Sequence, residues 1–122
     1  MCIKYEAYEL LELFENEPDD IVGEPLAGLR WYSKKVNGFE LNLWFNLHEN
    51  KCNISITYNN GFDVVFKGSF NNITQFKKYE NDLIIIVKDE PTIKLRFKKQ
   101  LSVELITEEE KERYKNIFST YY

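Results

Sequence analysis

The residues best suited to chemistry are few, and they lie close together in the sequence. His48 is the only histidine of the 122-residue chain, and Cys52 follows it by four positions. A histidine that accepts the proton of a nearby cysteine creates a nucleophilic thiolate. The spacing allows the two side chains to meet in or beside a turn, but the pattern supplies no third residue to orient the imidazole. We favour a turn histidine near a strand cysteine, with no catalytic role.

The same stretch can be compared with a metal site, because His48, Glu49 and Cys52 are all ligand types. Their spacing matches no recognised zinc pattern, and a closed site would need further carboxylates. Gly23 and Gly28 do not form a phosphate-binding loop, since no Gly-Lys-Ser/Thr follows them. We therefore predict no catalytic residue, no metal site and no cofactor, and a protein that is not an enzyme.

The elements around these residues begin with a predicted amphipathic helix over residues 3–14, ended by Pro18. Period-two alternation then predicts strands, and Asn37-Gly38 is typical of a type I′ hairpin turn. Residues 83–87 are apolar on both sides, so we expect a central strand covered on both faces. Thr107 and Glu110 form a capping box that begins a final helix, which runs to about residue 119.

The order of these elements predicts an α+β fold in a single domain, residues 1–122. The connections are too short for parallel crossovers, so seven or eight strands should form an antiparallel meander. We expect this meander to be a curved sheet or a partly closed barrel, with the N-terminal and C-terminal helices covering an open face or end.

Compartment and partners follow from what the sequence lacks. No basic stretch precedes an apolar segment at the start, so we expect no secretory signal. Two cysteines are too few for a disulfide framework, which favours free thiols in the cytoplasm. The longest apolar run, residues 83–87, is too short to span a membrane. The pI of about 5.1 argues against nucleic acid as a partner, because binding of phosphates requires a positive field.

Charge is distributed unevenly along the chain, although the formal net charge is only −4. Residues 30–106 contain twelve basic and eight acidic residues. Residues 5–29 contain no lysine or arginine but eight acids: Glu6, Glu9, Glu12, Glu15, Glu17, Asp19, Asp20 and Glu24. We call these eight residues the acidic segment.

Two explanations of the acidic segment remain open at this point. Glutamates three residues apart destabilise a helix by repulsion, so a sequence selected for stability alone would include lysines here. Either the acids pair with lysines and arginines of the predicted sheet, or they face a basic partner and steer its association.

Trp44 is out of phase with the apolar residues of its predicted strand, so it lies on the polar side. We favour its packing beneath a helix; the alternative is an exposed anchor of the kind that dominates protein interfaces. Trp31 and Tyr32 point to opposite faces, so one of them could share the surface of Trp44.

A short, acidic chain with no catalytic motif and a meander flanked by helices resembles the small immunity proteins of bacterial polymorphic-toxin and contact-dependent inhibition systems. The resemblance implies a cytoplasmic protein that binds and occludes a cognate toxin, and many such toxins are nucleases with basic grooves. The acidic segment, Trp44 and Trp31 would then form the binding surface. The alternative is a carrier that holds a small molecule in the concave face of the sheet, lined by Tyr58, Phe62, Phe66 or Ile85.

Overall fold

The computed structural model describes residues 2–18 and 28–119. Its elements, in chain order, are α1 (Ala7–Phe14), β1 (Leu29–Val36), β2 (Phe39–Asn46), β3 (Lys51–Tyr58), β4 (Asp63–Phe70), β5 (Ile73–Tyr79), β6 (Asp82–Val87), β7 (Glu90–Arg96), β8 (Ser102–Leu105) and α2 (Glu108–Ser119). The predicted α+β fold, an antiparallel meander of seven or eight strands between two helices, is confirmed, and the described residues form eight strands.

The meander divides into two four-stranded sheets, and it does not close into a barrel. The first sheet has the order β1-β2-β3-β4 and the second the order β5-β6-β7-β8, with every neighbouring pair antiparallel. Only Asn71 and Asn72 separate β4 from β5, and Asn72 takes a positive φ of 60°. This short link directs β5 into a new sheet.

The two sheets face each other across the main core. Alternate residues of β2 and β3 supply the inner face of the first sheet, and alternate residues of β6 and β7 supply that of the second. Two apolar residues of α1, Leu10 and Phe14, close the same core. The fully enclosed members include Phe45, Phe76 and Ile85.

The second sheet is the middle of three layers, because α2 covers its other face. Ile84 and Ile86 alternate with the residues of the main core and pack against Tyr114 and Phe118 of α2. The prediction that residues 83–87 form a central strand covered on both faces is therefore confirmed. The capping box is also formed, since Glu110 N–H donates to Thr107 Oγ1 and Thr107 N–H donates to Glu110 Oε1.

The first helix is shorter than the sequence predicts. It begins at Ala7, and Glu15 ends it in the left-handed conformation with φ 58°. The residues before it are extended and join the two sheets, because Ile3 N–H donates to Leu47 O while Lys4 N–H donates to Thr74 O. Ile3 is buried in the main core through this tertiary contact rather than through a helical face.

Candidate protein-binding surface

The helix α1 places its glutamates outside because its apolar residues are required inside. Leu10, Leu13 and Phe14 are buried, whereas Glu6, Glu12 and Glu15 are exposed and Glu9 is half-buried. Helical spacing of the apolar residues thus sends the recurring acids to the opposite side. Glu17 follows the helix and is exposed as well. Asp19, Asp20 and Glu24 lie outside the described residues.

Part of the acidic segment is paired within the chain. Glu15 forms a hydrogen-bonded ion pair with Lys34 of β1, and Glu12 lies 3.8 Å from Lys78 of β5. The hydrogen bond from Lys34 holds the pKa of Glu15 below its usual value. Glu9 accepts a hydrogen bond from the backbone N–H of Lys78 at 3.3 Å. The internal explanation therefore holds for Glu12 and Glu15.

The pairing leaves uncompensated negative charge. Among residues 2–18 and 28–119, Glu6 and Glu17 take part in no ion pair. Burial raises the pKa of the Tyr32 phenol to about 12, and the negative charge of Glu17 adds a small further rise. Anionic charge therefore remains on this side of the molecule, concentrated near both ends of α1.

Trp31 and Trp44 form a stacked pair on the outer face of the first sheet. They are directly opposite each other on β1 and β2, with ring centroids 4.3 Å apart and an interplanar angle of 11°. Trp31 Nε1–H donates to Asn42 Oδ1 at 2.9 Å, which fixes the orientation of its ring. Both indoles are half-buried.

The prediction that Trp44 packs beneath a helix is wrong. The apolar residues of α1 belong to the core between the sheets, and α2 packs on the far side of the second sheet. Trp44 points away from both, because Leu43 and Phe45 on either side of it point into the core. The alternation of β2 identified the outward position of Trp44, but it could not show where the helices would pack.

The rest of this outer face is mainly amide and hydroxyl. Register places beside the tryptophans a set of short polar residues: Ser33, Asn42, Asn53, Ser55, Thr57 and Ser69. The exposed lysines at 35, 51 and 67 also lie on this face, and Glu40 lies there beside Lys35. Asparagine and serine with large aromatics are the composition of adaptable protein-binding surfaces.

Glu15 and Glu17 of the acidic segment lie beside the edge strand β1, which also contains Trp31. Asn16 Nδ2–H donates to Ser33 O, which ties the end of α1 to this strand. An open depression at the junction is lined by Glu15, Glu17, Ser33 and Lys35, among others. Trp31 is two residues from Ser33 on the same strand, so Glu15 and Glu17 lie next to the tryptophan pair along this strand.

A second exposed cluster was not anticipated as a surface. The β3–β4 hairpin exposes Tyr58, Phe62, Val64 and Val65, and Phe62 is 82% exposed. A bulge in β4 opposite Ile56 and Thr57 breaks the alternation there, so the apolar residues of the hairpin do not all turn inward. The apolar character of the segment was visible in the sequence, but the bulge was not.

The residues predicted to line a carrier cavity do not come together. Ile85 is fully buried in the main core, and Phe66 packs against that core. Phe62 and Tyr58 are instead exposed at the β3–β4 hairpin. The concave pocket expected for a small-molecule carrier is therefore not formed by these residues.

His48 lies next to Cys2 and not next to Cys52 in the structure. Its Nδ1 lies 3.3 Å from the Sγ of Cys2. Cys52 is buried in the main core, and burial raises the pKa of its thiol to about 12. Within residues 2–18 and 28–119, no three side chains of histidine, cysteine, aspartate or glutamate are grouped as metal ligands. None of the helices there is long and apolar enough to cross a membrane.

Comparison with known proteins gives one informative result. No protein-family model matches the sequence, and a search of curated proteins found no match. A solved structure described as a contact-dependent growth inhibition toxin–immunity protein complex from Klebsiella pneumoniae 342 contains a chain of similar fold. The two chains share this fold. The TM-score is 0.69 at 18% identity, and the alignment covers 85% of this chain and 96% of the other.

Proposed function

We propose that this chain is an immunity protein, a non-enzymatic cytoplasmic protein that binds a cognate toxin domain and occludes it. The observation that carries the proposal is the similarity of fold, which extends over most of both aligned chains. It points to the same class of systems as the overall character of the sequence, namely a short acidic chain with a meander between two helices.

The charge of the chain favours the immunity side of such a complex over the toxin side. A nuclease toxin has to attract phosphates, and this requires a positive field. This chain has a formal net charge of −4, with eight acids and no base in residues 5–29. An inhibitor of a basic toxin gains from such a segment, because opposite charge speeds the encounter.

The surface along β1 supplies the two properties that such binding needs. The acidic segment steers a basic toxin toward the molecule, and the stacked Trp31 and Trp44 provide large aromatic contact area beside it. Of the five described glutamates of the segment, two are offset by Lys34 and Lys78. Glu6, Glu9 and Glu17 form no ion pair with another described residue and are left to act on the partner.

The test of this function is protection of a cell and formation of a complex. The chain is co-expressed with the toxin domain encoded beside its gene, and the purified pair is titrated by calorimetry. We expect growth to be restored and a complex of one to one stoichiometry. The proposed function is contradicted if the toxin still kills the cells and the titration shows no heat of binding.

The acidic surface is tested separately by reversing charge. The variant Glu6→Lys/Glu17→Lys changes two exposed and unpaired acids, and Glu80→Lys/Glu112→Lys makes the same charge change elsewhere. We expect the first variant to lower the association rate constant about tenfold at low salt, with the difference lost at high salt. Equal rate constants for the two variants would contradict the role of the acidic segment.

A further inference from the structure

Cys2 and His48 form a thiol–imidazole pair that the proposed function does not use. The Sγ of Cys2 lies 3.3 Å from Nδ1 of His48, although the residues are 46 positions apart in the chain. Both side chains are exposed, so small molecules in solution can reach the sulfur. A thiol within hydrogen-bond reach of an imidazole is the arrangement that activates cysteine as a nucleophile.

Both members of the pair are held in place by the fold. The backbone beside Cys2 is fixed at Ile3, whose N–H donates to Leu47 O at 3.1 Å. His48 N–H donates to Asn46 Oδ1 at 2.9 Å. The imidazole also lies over Gly28, where a Cβ would stand 2.6 Å from its Cδ2. The thiol and its base are thus positioned by three separate segments of the chain.

We propose that Cys2 is a reactive thiol that exchanges with low-molecular-weight disulfides, with His48 as its proton acceptor. The proton of the Cys2 thiol passes to Nδ1 of His48, and the thiolate attacks one sulfur of the disulfide. A new S–S bond forms to Cys2 while the S–S bond of the small molecule breaks. The proton passes from His48 to the leaving thiolate, or to water when that thiolate is too weak a base to accept it, so Cys2 is oxidised, the small molecule is reduced and the imidazole is regenerated.

The second cysteine provides an internal control. Cys52 is 1% exposed in the main core, and its raised pKa keeps it protonated at neutral pH. In the folded protein, only Cys2 should therefore react rapidly with a disulfide. The variant Cys2→Ser should show no rapid thiol when folded and one thiol when denatured.

The experiment measures the rate of reaction with an aromatic disulfide, 5,5′-dithiobis(2-nitrobenzoic acid), at pH 7.0. An ordinary cysteine is only about 3% ionised at this pH, so a proton acceptor can raise its rate by at most about thirtyfold. The lower nucleophilicity of a stabilised thiolate reduces that gain. We expect the native protein to react at least about fivefold faster than His48→Gln. Glu49→Gln, a neighbouring change in the same turn, should react like the native protein.

Two further measurements separate proton transfer from a merely structural effect. At pH 9.5, where ordinary thiols ionise without help, the native protein and His48→Gln should react at similar rates. Incubation with oxidised glutathione should add one glutathionyl group to the native protein, seen by intact mass, and none to Cys2→Ser. The proposal is overturned if His48→Gln reacts as fast as the native protein at pH 7.0, if the rapid thiol persists in Cys2→Ser, or if no adduct forms.

Discussion

Replacement of Trp44 by alanine is the sharpest test of the binding surface. The change removes one ring of a stack whose centroids are 4.3 Å apart. An aromatic pair contributes about 0.5–1.5 kcal/mol beyond the area that it buries. Since Trp44 is only half-buried, we expect the free energy of unfolding to fall by about 1–2 kcal/mol, which leaves the protein folded.

The effect on toxin binding should be larger than the effect on stability. A tryptophan at the centre of an interface contributes about 2 kcal/mol or more, which corresponds to about thirtyfold in Kd. Calorimetric titration of Trp44→Ala against the toxin domain measures this difference. Urea denaturation checks that the variant is folded, and far-UV circular dichroism checks that the exciton signal of the stacked indoles has been lost.

The matched control is Phe62→Ala, which truncates a more exposed aromatic in the turn between β3 and β4. It should bind with nearly unchanged Kd if the β1 side of the sheet is the binding surface. A folded Trp44→Ala that binds as tightly as the native protein would refute the reasoning. A Phe62→Ala that loses affinity in its place would move the interface to the β3–β4 hairpin.

Other expectations concern stability and use urea denaturation. Glu110→Gln removes the carboxylate 2.7 Å from the ammonium of Lys94, a residue that is only 5% exposed. Removing one partner of a fully buried ion pair costs about 3–5 kcal/mol. Solvent reaches Glu110, so we expect the free energy of unfolding to fall by about 2 kcal/mol, and to change little when Lys94 has already been replaced by methionine. The hydrogen bond from Lys94 lowers the pKa of Glu110 in the folded protein. The stability that the ionised Glu110 contributes is therefore present at neutral pH and is lost as the pH falls through that lowered pKa. In acid, the native protein and Glu110→Gln should have similar free energies of unfolding. Gly28→Ala should cost about 1–2 kcal/mol, because φ is 97° and the new Cβ would meet His48; an unchanged midpoint would contradict this.

Most of the strand layout could be predicted because its signals are local. The alternation from Phe39 to Phe45 reflects a strand with one solvent-facing side and one buried side. Asn37 and Gly38 supply the positive φ values that the hairpin turn requires. The capping box and the central position of β6 were also read from neighbouring residues. These features depend on short stretches of chain, so a single sequence contains them.

The features that the sequence did not reveal depend on distant contacts. The division into two sheets arises at Asn71-Asn72, and no local pattern distinguishes this link from a hairpin. Ile3 has the spacing of a helical residue, but pairing with Leu47 and Thr74 holds its segment extended. Likewise, Cys2 reaches His48 only because the fold brings the first residues to the β2–β3 turn.

The candidate surface was predicted in part. The composition of residues 5–29 marked the acidic segment, and the phase of β2 placed Trp44 on the polar side. The sequence could not tell which glutamates find lysines, because Lys34 and Lys78 belong to strands of different sheets. It could not join the two sets of residues either, since their junction is the contact between Asn16 and Ser33.

The extended segment before α1 has a consequence for synthesis of the chain on the ribosome. Its hydrogen bonds reach Leu47, which directly follows β2 of the first sheet, and Thr74 and Phe76 of β5 in the second sheet. This segment is translated before β5, so it cannot take its final place until β5 has been made. Until then the first sheet has all its strands, but the second sheet does not yet cover its apolar face. A chain stopped before β5 would expose that apolar face to chaperones.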